Sequence, residues 1–154
     1  MGVSSKLIMT TNNNKEVFKI LRNSESALNK LLMKQRKKIH GDNARPWTKD
    51  DNNSNRVSIT VDACSESFII NFKYKGEVRQ LWLFTKNTED NSDITDKENV
   101  FFSFGSWGNH KEILMHLYKE LSKEFSNEFF FDFNDCDDIF HHIKNEELVE
   151  CNYN

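Results

Sequence analysis

The sequence predicts an α+β domain: a mainly antiparallel sheet of about five strands, a β-meander followed by a β-α-β unit. An amphipathic N-terminal helix joins it, and the helices pack on one face. Three observations carry this. Apolar and polar residues alternate in three stretches between Val57 and Phe84. Apolar residues recur at three-and-four spacing over 14–39 and again after Asn109. Thirteen Phe, three Trp and three Tyr supply a sizeable core for 154 residues, the length of about one domain.

Residues 1–12 read as a frayed tail. Asn13 with Glu16 fits a capping-box start for the first helix. Its stripe is Val17, Leu21, Ser24, Leu28, Leu31 and Gln35, widened by Phe18, Ile20 and Leu32. Gly41 is the expected stop, and 41–55, with Pro46 and a polar run, reads as a linker. Val57, Ile59 and Val61 begin the meander. Phe68, Ile70, Phe72 and Tyr74 continue it, and Tyr74-Lys75-Gly76-Glu77 turns into 78–84. Residues 85–98 form a long acidic loop of the kind that is mobile or binds.

Val100 to Phe104 is the fourth strand. Asn109 and Glu112 suggest a second capping box. Ile113, Leu114, Leu117, Tyr118, Leu121 and Phe125 give the second helix its apolar face. In the strand 128–133, Phe129, Phe131 and Phe133 face one way and Phe130 the other. Asn134 to Asp138 then read as the opening of a short third helix carrying Ile139, Phe140, Ile143 and Leu148.

The net charge of −3 conceals a division. Residues 1–56 carry 12 basic and 5 acidic side chains, and 57–154 carry 9 and 19. The chain is therefore expected to divide into a basic helix and linker, 1–55, and an acidic α+β domain, 56–154. A basic segment of this kind either docks on its own acidic domain or serves a partner. No run of about 18 apolar residues exists to span a bilayer, and the first thirty residues lack the apolar core of a secretion signal. With three sparse cysteines, Cys64, Cys136 and Cys151, and no C-x-x-C, this predicts a reduced, cytoplasmic chain with no membrane partner. Nineteen Asn against one Pro point to an AT-rich genome, such as a low-GC bacterium, its phage or a large virus.

Few features carry chemistry. Gly105-Ser106-Trp107-Gly108 presents backbone N–H groups before a helix, yet lacks the P-loop ending and the dinucleotide spacing. Cys136 sits among Asp residues, which disfavour a thiolate. The five histidines form no H-E-x-x-H. No catalytic residue, cofactor or metal ligand is assigned.

The expected function is that of a small, non-catalytic interaction protein, inhibitor- or immunity-like or a mobile-element accessory. It would bind another protein, preferably through that partner's basic surface, and a homo-oligomer stays possible. The candidate partner-binding residues are Lys30, Lys34, Arg36, Lys37, Lys38, Arg45 and Trp47 in the basic segment, Glu89, Asp90 and Asp93 in the acidic loop, and Asp135, Asp137 and Asp138 before the last element. Two alternatives stand beside it. The basic segment 30–49 could hold nucleic acid by phosphate neutralisation and stacking on Trp47. The stretch 132–142 could serve a metal-dependent enzyme through Asp132, Asp135, Asp138 and His141.

Overall fold

The computed structural model describes residues 4–11, 16–41, 57–62, 67–85, 98–105, 110–134 and 139–152. Eight strands form one antiparallel sheet: β1 (Ser5–Thr11), β2 (Ser58–Asp62), β3 (Ser67–Tyr74), β4 (Glu77–Thr85), β5 (Glu98–Phe104), β6 (Phe129–Asp132), β7 (Phe140–Lys144) and β8 (Glu147–Cys151). The helices are α1 (Val17–His40) and α2 (Lys111–Glu124). Strand order across the sheet is β2-β3-β4-β5-β1-β6-β7-β8.

The expected class is right, and the count of about five strands is corrected to eight. Two misreadings account for the difference. The supposed N-terminal tail is β1, which lies in the middle of the sheet and pairs antiparallel with both β5 and β6. Strands β5 and β6 are therefore parallel to each other. Parallel strands require a crossover, which α2 supplies, and β1 fills the slot between them. In β1, Leu7 and Met9 enter the core while Ile8 points to the other face. An apolar residue on both faces is what a central strand needs and what hid the alternation.

The expected third helix is the hairpin β7–β8. Ile139, Phe140 and Ile143 are spaced as on a helix, but the chain reverses at Asn145 and Glu146, both with positive φ, 53° and 64°. The same turn form joins β3 to β4 through Lys75 (φ 50°) and Gly76 (φ 80°). Asn13 and Asn109, which open the two expected capping boxes, lie outside the described residues. Among the described residues, Glu16 and His110 occupy the cap positions, and neither makes a side-chain cap bond. Gly41 ends α1 as expected, its N–H donating to Lys37 O at 2.9 Å.

Both helices cover one face. Ile20, Leu28, Leu31 and Leu32 of α1, and Ile113, Leu114, Leu117 and Leu121 of α2, share one core with Ile70, Phe72, Leu81, Leu83, Phe102, Phe104, Leu7 and Phe131. The charge boundary near residue 56 does not divide this core, since β1 and α1 belong to it. Phe18, expected in the apolar stripe, is 66% exposed, with its ring edge-on to Phe68. Two polar contacts lock α1 to α2. His116 Nε2 donates to Ala27 O at 2.7 Å, and Lys30 Nζ pairs with Glu120 Oε2 at 3.1 Å. Among the described residues, no helix is long and apolar enough to cross a membrane.

Candidate functional site

Two places gather functional side chains. The first lies where α2 begins, against the β3–β4 hairpin. Arg79 Nη1 lies 3.0 Å from His110 Nε2, and its Nη2 pairs with Glu77 at 2.9 Å. A guanidinium only donates, so His110 Nε2 accepts and the ring proton sits on Nδ1. Burial, reinforced by the Arg79 charge, holds His110 below its ordinary pKa and therefore neutral. The ring also stacks on Phe104 at 4.1 Å. Next to it, burial and then the Glu112 carboxylate push the Tyr74 hydroxyl well above the usual phenol range. Glu112 is held below the ordinary carboxyl value by Tyr74 and by Lys75, whose Nζ is 3.1 Å away. Lys75 N–H donates to Gln35 Oε1 at 3.2 Å. This cluster joins α1, the hairpin and α2; every charged group in it faces a partner within the chain.

The second place is a cleft beside β6. Strands β7 and β8 pair along their length, from Phe140 with Cys151 to Lys144 with Glu147. The bridge between β6 and β7 is Phe131 with His141. Beside it opens a cavity of about 530 Å³, lined by Tyr118 and Phe125, by Phe129 and Phe130, by His142 and Ile143, and by a polar rim that includes Ser122, Asn127, Glu128 and Asn152. Phe129 and Phe130 point to opposite faces, so both faces of the sheet contribute to the wall. His142 stacks near Phe130 at 6.4 Å, and Tyr118 meets Phe129 edge-on at 5.4 Å. The rim is anchored to β1: Asn127 Nδ2 donates to Thr10 O at 2.6 Å, and Thr10 N–H donates to Glu128 O at 2.9 Å.

The candidate residues of the basic segment separate on α1. Lys34, Lys37 and Lys38 are exposed, Lys30 is committed to Glu120, and Arg36 is 6% exposed. Arg45, Trp47, Glu89, Asp90, Asp93, Asp135, Asp137 and Asp138 lie outside the described residues, as do Cys64, Cys136, the Ser106–Asn109 turn, the linker and most of the acidic loop. Asp132 and His141 do not converge. His141 is opposite Phe131 and shares its face, while Asp132, next along β6, points to the other. Among the described residues, no group of three His, Cys, Asp or Glu side chains could hold a metal ion. Burial pushes the Cys151 thiol up, away from the thiolate.

The cleft was not legible beforehand, because its walls come from a segment read as helix. Phe130, set against the grain of the other phenylalanines, was its one signal. Comparison with known protein families, curated proteins and solved structures finds no match to the chain.

Proposed function

We propose that the chain is a non-catalytic interaction protein that holds a basic, extended segment of a partner protein in the cleft beside β6. The observation that carries this is the aromatic-walled cavity of about 530 Å³ with Glu128 at its rim. Cavities of roughly 300–1,000 Å³ with an apolar floor and a few polar groups are the usual form of binding sites. This one suits an arginine or lysine side chain, its methylenes on the rings and its cation toward Glu128. On the neighbouring hairpin exposed Glu150 carries the same sign of charge, while Glu147 stands opposite Lys144. Carboxylates at Glu128 and Glu150 oppose a phosphate at the rim, which favours a protein over nucleic acid there. They also steer a basic surface inward.

The test is capture of partners from extract of the source cell on immobilised chain, before and after nuclease. The expected partner survives nuclease, is lost with Glu128→Lys combined with His142→Ala, and is kept by the triple variant Lys34→Ala, Lys37→Ala, Lys38→Ala. Loss on nuclease treatment together with loss in the lysine variant selects nucleic-acid binding along α1 instead.

A further inference from the structure

At the opposite margin of the sheet, β2 leaves one side of its backbone without a strand among the described residues. We propose that two copies of this chain join there, β2 against β2, antiparallel about a twofold axis at Thr60. Three observations bear on the choice of partner.

The first is chemistry. Proteins blunt exposed strand edges with charge, proline or a bulge. The strand Ser58-Ile59-Thr60-Val61-Asp62 has no proline and carries one charge, at its end. Ser58, Thr60 and Val61 are exposed, Val61 to 67%.

The second is an apolar patch that the edge itself does not need. Val61 is the register partner of Phe68, and the exposed Phe18 lies edge-on to the Phe68 ring at 5.9 Å. Two of the large apolar side chains that the fold leaves to solvent thus flank one strand edge. Such patches on a folded chain mark interaction surfaces.

The third is register. Pairing about Thr60 sets Thr60 opposite Thr60, Ile59 opposite Val61 and Ser58 opposite Asp62, so aliphatic meets aliphatic and the two carboxylates stand apart. A twofold axis perpendicular to the sheet also keeps both helical layers on one side, with Phe18 and Val61 of each copy facing the seam. The other edge fails the same arithmetic. Self-pairing of β8 about Val149 would set Leu148 against Glu150. A β2-to-β8 contact would propagate into open fibres, and Glu147 and Glu150 oppose it. The β2 seam closes on itself. Stable interfaces bury about 1,200–2,000 Å² in total, more than two five-residue edges supply, so the patch is needed and the affinity is modest.

The experiment is sedimentation velocity of the full chain from about 10 µM to about 1 mM, spanning the range of modest affinities. The wild type is expected to pass from monomer to dimer. Thr60→Lys and Thr60→Glu, each bringing like charges face to face at the axis, should weaken dimerisation about tenfold. An equimolar mixture of the two should restore it, as a Lys–Glu pair then meets at the axis. Phe18→Ser should weaken it without that rescue. Monomer at every concentration overturns the proposal, as does undiminished association of Thr60→Lys. A mixture that fails to recover overturns the Thr60-centred register. Cleft variants leave the dimer unchanged, so this result stands or falls apart from partner capture.

Discussion

One row of register partners crosses the sheet from edge to edge: Val61, Phe68, Leu83, Phe102, Leu7, Phe131, His141 and Glu150. At the β2 end it finishes on an exposed valine beside exposed Phe18. At the β8 end it finishes on an imidazole and a carboxylate. The β2–β5 half is a continuous ladder. The β7–β8 half is a hairpin joined to β6 at one bridge and opening onto the cleft. Ladder pairing and edge protection therefore vary inversely along the sheet: the well-paired half keeps an apolar edge, and the loosely joined half has a charged one. A half that is already rigid can present an edge to a second strand at little entropic cost, whereas the looser half must keep its own edge from aggregating.

The strand that holds the two halves together gives the largest effect. Leu7 is fully buried and touches both sides of the row. Leu7→Ala is expected to cost about 2–5 kcal/mol in urea unfolding. A smaller loss would mean that β1 is not the hinge of the comparison.

The two hairpin turns sharpen it. Both place two residues at positive φ, but glycine fills the second position in one and Glu146 in the other. Gly76→Ala is expected to destabilise by about 1 kcal/mol, because a Cβ is strained at φ 80° although nothing crowds it. Glu146→Gly should stabilise by a similar ~1 kcal/mol and slow amide exchange across β7 and β8. Equal and unchanged exchange in both hairpins would remove the distinction between the halves.

The smallest effect is electrostatic and belongs to α2, at its start against the β3–β4 hairpin and along its contact with α1. The folded state lowers the pKa of His110 and of His116, chiefly through burial. The unfolded chain therefore takes up protons first as pH falls. The stability these neutral rings contribute is complete above the unfolded value of 6.5 and is lost as pH falls below it toward the folded values. Urea midpoints should fall between about pH 7.5 and about pH 5.5, and the fall should shrink in His110→Gln. Glu112, lowered by Tyr74 and then Lys75, and Glu120, lowered by Lys30 and Lys123, add a loss in the same direction below their ordinary value of 4.5.

Legibility followed the periodicity. The meander was readable because Val57 to Leu83 alternates and Lys75-Gly76 is a recognisable turn. Helix α2 was readable because its apolar face is unbroken. Strand β1 was not, because a central strand buries both faces and Leu7-Ile8-Met9 has no period. The C-terminal hairpin was not, because Asn145-Glu146 carries no glycine and Ile139, Phe140 and Ile143 fit a helical spacing equally well. The cleft depends on both missed elements. Of the residues singled out as partner-binding, those on α1 were placed correctly on a helix; Arg36 is buried, and exposed Lys30 pairs with Glu120.

By itself the sequence determined the class, the two amphipathic helices, the antiparallel meander and the aromatic core, because each is written in a period that local geometry enforces. Tertiary structure alone decided that the first strand is central, that the last segment is a hairpin, and which residues surround the cleft and the open edge. Those outcomes depend on partners far apart in the chain, and pairing across such distances leaves no local period to read.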